Sequence, residues 1–197
     1  MSPRIDPEER RKEIIQAALR CLIRDGYHAT SMDAIVTESG LSKGTLYWHF
    51  KNKKDLFTAL FETIMSEAVS GFVPLMKQAL PPEQKIELFF SSLEMIQESN
   101  RDFLTLPINL MTDMLNDEDF LRRYREIIAS LANETKIVIQ QGIKEGVFRP
   151  VDAEELSWTL MAIYDGILLY ILFRMPIHIK KQSRILADLV INGLKEI

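Results

Sequence analysis

Between Leu41 and Lys54 the chain reads LSKGTLYWHFKNKK, and few folds accommodate that stretch. Leu46 and Phe50 lie one helical turn apart, with Leu41 just before them, so a short helix here has one apolar seam. The other positions pair at the same spacing: Lys43 with Tyr47, Gly44 with Trp48, Thr45 with His49. They offer a cation, hydroxyls, aromatic rings and bare backbone, the groups that touch phosphates and base edges. Lys51, Lys53 and Lys54 then open the next helix. Cations there oppose the helix dipole at a cost of roughly a few tenths of a kcal/mol each. A phosphate held by those lysines and the free amides offsets that cost.

The residues upstream complete a pair of helices. TSMDAIVTESG has Thr30 as its expected N-cap, with Asp33 at capping-box spacing. Met32, Ile35 and Val36 form the inner face, and Gly40 supplies a left-handed stop. Ser42 caps the second helix. Two short helices joined by a glycine-containing turn, the second decorated for DNA, make a helix-turn-helix.

The run TSMDAIVTESGLSKGTLYWHFKNKKDLF resembles the DNA-binding signature of the tetracycline-repressor (TetR) family, and the likeness covers roughly Arg10 to Leu60. SKGTLYWHF followed by KNK is close to that family's consensus. The resemblance implies an all-α fold: a three-helix DNA-binding head over residues 1–52, joined by a shared helix to a ligand-binding and dimerisation bundle over residues 53–197. It assigns DNA contacts to Lys43, Thr45, Tyr47, Lys51 and Lys53, with Thr30, Ser31, Ser42, Trp48 and His49 around them and Gly44 allowing close backbone approach. The implied function is a ligand-responsive repressor on a palindromic double-stranded operator, released by a small-molecule effector.

Charge is divided to match. Met1 to Lys54 carries ten Lys/Arg against seven Asp/Glu, a net of +3, and the remainder carries 14 against 21, a net of −7. A basic quarter on an acidic body suits a DNA head on a body that avoids DNA. The single cysteine, Cys21, excludes an intramolecular disulfide, reads as a small packing residue and suits a reducing cytoplasm. The charged N-terminal residues have no apolar signal region. Leu156 to Phe173 approaches membrane-span length, but Asp165 near its middle is costly in a bilayer, so the stretch reads as a buried helix and no membrane partner is expected.

The periodicity is helical throughout, with no hairpin signal. The first helix starts at Asp6-Pro7 and ends at Gly26. The fourth runs from Asn52 to about Val69, interrupted by Gly71 and Pro74. Others follow from Pro82 to near Asn100, Phe103 to Leu115, Glu118 to Glu145, Ala153 to Arg174 and Ile179 to Lys195. The first of the last two is apolar around most of its circumference and the second carries an apolar stripe, and together they are expected to build a homodimer as a four-helix bundle.

No catalytic constellation is present. His28, His49 and His178 lack metal-ligand spacing, and there is no nucleophile elbow or phosphate loop, so no enzyme activity, metal or cofactor is expected. The body is instead rich in Met and Phe. A subset is expected to line an apolar effector pocket: Phe61, Met65, Phe89, Phe103 and Met111, with Asn109, Tyr124, Trp158, Tyr164 and Asp165 supplying polar groups. Apolar walls favour a greasy or aromatic molecule. Asp165, among aliphatic neighbours, must be hydrogen-bonded, paired or protonated. Pairing within the bundle or across a dimer and contact with a ligand are its two readings.

Overall fold

A computed structural model describes residues 6–98, 110 and 112–195. These residues form eight helices and no strand: α1 Pro7–Ala29, α2 Met32–Ser39, α3 Lys43–His49, α4 Lys53–Met76, α5 Pro82–Glu98, α6 Glu118–Lys144, α7 Ala153–Leu172 and α8 Ile179–Leu194. The described residues divide into two compact units. The first takes those of Met1–Ser66 and Leu106–Leu121, the second those of Glu67–Thr105 and Arg122–Ile197. Compactness thus groups more of the chain with the head than residues 1–52. The expected helix from Phe103 to Leu115 lies largely outside the described residues; Leu110 and Thr112–Met114 are helical.

In the first unit, Asp6 caps α1 by accepting from the Glu8 amide at 3.1 Å. Gly26 breaks the regular helix at φ +76°, and the chain then continues helically to Ala29. Ile14, Ile15, Ala18, Cys21 and Leu22 of α1 are buried, as are Ile35 of α2, Leu46 of α3 and Phe50. Burying each large apolar side chain of this kind contributes on the order of 1.5–3 kcal/mol. Burial raises the Cys21 thiol above its ordinary value, which favours the packing role.

α4 departs from the expected stop near Val69 and runs on through Gly71 and Pro74 to Met76. Pro74 lies in the final turn, where its missing N–H removes a single helical bond before the helix ends anyway. Leu56, Phe57, Leu60, Phe61 and Ile64 on one side of α4 are buried. Phe57 meets the Tyr27 ring edge-on at 5.1 Å, and Phe61 meets Phe120 at 4.8 Å. By length and composition α4, rather than α7, is the one helix among the described residues apolar enough to cross a bilayer.

The second unit is a helical layer around Ile86, Phe89, Phe90 and Leu93 of α5, Val138 and Ile139 of α6, Leu160, Met161 and Ile171 of α7, and Ile179, Ala187 and Ile191 of α8. α5 and α8 pack side by side, and the Ser183 hydroxyl donates to Glu94 Oε1 at 2.7 Å across them. Asp152 caps α7 as its position suggests, accepting from the Glu154 and Glu155 amides at 3.0 and 3.1 Å. The Arg149 amide and Nε donate to Leu194 and Gly193 carbonyls at 2.7 and 2.9 Å, satisfying orphan groups at the end of α8.

Candidate nucleic-acid interface

The turn between α2 and α3 is built by local hydrogen bonds. Gly40 takes φ +68° and its amide returns to the Val36 carbonyl at 3.1 Å. Ser42 accepts from the Thr45 amide at 3.1 Å and caps α3. The cap of α2 is a correction. It is Ser31, not Thr30, that accepts from the Ala34 amide at 3.1 Å. Thr30 is 2% exposed and its hydroxyl donates to the Gly26 carbonyl at 2.7 Å. Its side chain closes the kinked end of α1 and is not available to DNA.

With Leu46 and Phe50 turned inward, the outer face of α3 carries Lys43, Gly44, Tyr47 and Trp48, all exposed. Tyr47 is 44% and Trp48 72% exposed. Two large rings standing in solvent on one short helix form a surface suited to a partner. Trp48 meets His49 at a right angle, ring centres 4.5 Å apart. His49 is pushed below its ordinary value by burial and by the neighbouring Arg11 cation, so it adds no cation at neutral pH. A Cβ placed on Gly44 meets nothing nearer than Ser42 Oγ at 3.7 Å. Internal packing therefore does not demand glycine there.

Two of the cations, Lys43 and Lys53, are already engaged. Lys43 Nζ lies 2.6 Å from Asp33 Oδ1, and that hydrogen bond holds Lys43 above its ordinary value. Thr45 and Ser42 share a hydroxyl contact of 2.8 Å. Lys53 does not point freely outward: its Nζ donates to the His28 carbonyl at 3.3 Å and sits 4.3 Å over the Tyr27 ring. Burial lowers its pKa, partly opposed by Asp113. Lys51 is exposed. The amides at the start of α4 are also less free than expected. Asn52 Oδ1 accepts from the Asp55 amide at 2.9 Å, and Asp55 Oδ2 accepts from the Lys51 amide at 3.0 Å.

The expected effector residues scatter. Phe103, Asn109 and Met111 lie outside the described residues. Phe61 and Met65 fall in the first unit, where Phe61 is fully buried against Phe120 in a core position. Trp158 is corrected from pocket to surface: it is exposed on α7 and its Nε1 donates to Glu154 Oε1 at 3.2 Å. Phe89, Tyr124, Tyr164 and Asp165 do belong to the second unit. Phe89 packs against Tyr164 at 5.2 Å, Phe90 at 4.9 Å and Phe72 at 5.6 Å. The Tyr164 and Ser92 hydroxyls are 3.0 Å apart, and burial pushes Tyr164 up to about 12. Burial raises Asp165, and its charge in turn raises Tyr124, already raised mainly by burial. Among the described residues Asp165 has no hydrogen-bond or ion-pair partner. A separate groove of 620 Å³, lined by Leu88, Ser91, Glu94, Arg184 and Asp188, includes none of the expected effector residues.

Residues missed by the sequence reading lie around Asp113 and Asp117. His28 Nε2 is 2.7 Å from Asp113 Oδ1, and Lys54 Nζ pairs with Asp117. Asp117 stands just before an acidic first turn, a visible helix-start signal, but its pairing with Lys54 spans too much sequence to be read locally.

Residues 14–60 match the family described as bacterial regulatory proteins, tetR family. The HTH-type transcriptional regulator YfiR of Bacillus subtilis, itself uncharacterised, is 32% identical over 85% of this chain and 84% of its own. A TetR transcription regulator from Haloarcula marismortui superposes with TM-score 0.83 at 25% identity, covering 96% of this chain and 100% of that one. The transcriptional regulator FadR from Bacillus subtilis, solved in complex with stearoyl-CoA, has the same fold, with TM-score 0.72 at 19% identity over 93% and 98% of the two chains.

Proposed function

This chain belongs to the TetR family of bacterial regulatory proteins and is a transcriptional regulator, and from that membership we propose that it is a ligand-responsive repressor working in the cytoplasm. It binds a palindromic DNA operator as a homodimer and is released by a small hydrophobic effector held in the second unit. The observation that carries this reading is the outer face of α3, where Tyr47 and Trp48 stand in solvent beside Lys43 on a helix capped and oriented by Ser42. Lys43, Thr45, Tyr47 and Lys51 make contacts to bases and phosphates, with Ser31, Ser42, Trp48 and His49 at their edges. Gly44 admits close approach of a phosphate backbone, and Lys53 reaches DNA once it leaves the Tyr27 ring.

A dimer through α7 and α8 is supported by the apolar side chains those helices leave in water: Trp158, Leu169 and Tyr170 on α7, and Ile185 and Leu189 on α8. A two-fold axis presents that face twice and supplies the second half-site that one short recognition helix needs. The aromatic cluster around Phe89 and Tyr164, beside Asp165, which has no hydrogen-bond or ion-pair partner among the described residues, supports effector binding in the second unit. So does the acyl ligand of the FadR complex. No metal or cofactor enters this reading.

The test is a titration of the dimer against palindromic duplexes at several salt concentrations, followed by a thermal-shift screen of apolar compounds. A sequence-specific complex with a steep salt dependence is expected, together with hits that stabilise the protein and release the DNA. Failure to form any salt-sensitive complex removes the proposal. Stabilising compounds that leave DNA affinity unchanged remove its effector half.

A further inference from the structure

The cations at the start of α4 face two carboxylates that neither the helix-turn-helix nor the effector site uses. Asp117 pairs with Lys54 and also accepts from the Phe120 amide at 2.8 Å, capping α6. Asp113 lies 2.7 Å from His28 Nε2. It also acts electrostatically on Lys53, whose Nζ is bound to the carbonyl of the same His28. All these groups belong to the first compact unit. The carboxylates are largely covered, whereas Lys54 and His28 are largely exposed. The acids are therefore the covered partners, and Lys54 and His28 the exposed ones.

We propose that Asp113 and Asp117 are positioning residues that set DNA affinity, Asp117 holding Lys54 in an internal pair that a DNA phosphate must displace and Asp113 holding His28, whose carbonyl binds Lys53. The inference rests on the reading of the α4 N-terminus as a phosphate-contacting surface. A lysine that reaches a phosphate must leave its carboxylate, so the internal pair and the phosphate compete for the same cation. Exposed pairs of this type are individually weak, so the device tunes affinity without abolishing it. Asp117 cannot drift away from Lys54 at little cost, because its other oxygen holds the first turn of α6.

The experiment measures binding of a fluorescein-labelled random-sequence duplex by anisotropy, since competition for phosphates needs no particular operator. Asp113→Asn, Asp117→Asn and the double variant are compared with the wild type at fixed salt. Asparagine is itself a good helix cap, so Asp117→Asn retains the start of α6. Asp113→Asn lies before that cap and gives an independent reading. Each single variant is expected to bind more tightly by roughly two- to five-fold, and the double variant more tightly still. In a Lys54→Ala background the gain from Asp117→Asn should vanish, because the pair is already gone. A gain that persists there assigns the effect to general charge repulsion and overturns the proposal. Unchanged or weaker binding by both single variants overturns it as well. If the wild type itself shows no salt-sensitive binding, the phosphate-contact reading fails and takes this inference with it.

Discussion

The ring of Phe148 lies directly on Gly142. A Cβ built on that glycine would be 2.1 Å from Phe148 Cδ2 and 2.5 Å from Cε2. The contact is held from both ends, because the Val147 and Phe148 amides both donate to the Gly142 carbonyl, at 2.9 and 3.0 Å. Phe148 is itself buried in the core of the second unit, so it has nowhere to retreat. Gly142→Ala should therefore destabilise by about 1–3 kcal/mol, the usual cost of overpacking. Gly71→Ala provides the contrast: nothing lies within 4 Å of its Cβ and it sits inside α4, so the same change should stabilise by roughly 0.5–1 kcal/mol. Urea unfolding of both variants checks the pair, and equal effects of one sign would contradict this account.

Tyr47→Ala should remove operator binding while leaving the fold unchanged, since the ring is exposed and outside the core. Circular dichroism and DNA anisotropy on the same sample read the two halves of that statement. Trp48 supplies a built-in probe. In a Trp158→Phe background it is the remaining tryptophan, and its emission should change when DNA covers the indole. Emission that is unaltered at saturating operator would place α3 away from the DNA.

Leu189 is 66% exposed on α8 and Ile185 lies one turn before it, also exposed. Replacing both with Glu puts charges into the face assigned to the partner subunit, which an apolar interface does not tolerate. Light scattering should report twice the 22.8 kDa chain mass for the wild type and the single mass for the variant, with operator binding lost. A wild type of single mass that grips a palindrome tightly would refute the dimer.

Tyr164 carries an alkaline stability signature. Burial raises it from 10.0 to about 12, so the neutral phenol is favoured in the folded state. Its contribution is complete below the unfolded value near 10 and is lost as pH rises through the folded value. Unfolding free energy should fall between those limits by up to about 1.4 kcal/mol per pH unit. Tyr164→Phe should flatten that part of the curve. At neutral pH the variant should cost only on the order of 1 kcal/mol, because Ser92 keeps its bond to the Phe89 carbonyl at 2.7 Å.

Asp165 works in the acidic range with the corresponding sign. Burial raises it above 3.8, so the protonated form suits the folded state, and stability is lost as pH rises through the folded value. Asp165→Asn should therefore melt at a higher temperature than the wild type at pH about 7, with the difference shrinking below pH about 4. A variant less stable at neutral pH would mean that the carboxylate has a stabilising partner.

Much of the fold was legible because its signals are local. Asp6, Gly40, Ser42 and Asp152 each start or stop a helix through bonds to residues within about four positions, and those bonds can be read from spacing. The same locality exposed the seam of Leu46 and Phe50 and hence the outward face of Lys43, Gly44 and Tyr47. Where two neighbouring residues could serve one local role, the choice depended on the fold: Thr30 and Ser31 both fit a cap, and packing against the kinked end of α1 decided for Ser31. Tertiary structure alone decided that Lys53 folds back on Tyr27, that Lys54 pairs with Asp117 and that Trp158 faces solvent. Helical period says which residues share a face but not what that face meets. Pairing across tens of residues is set by how the helices pack, and no short window of sequence contains it.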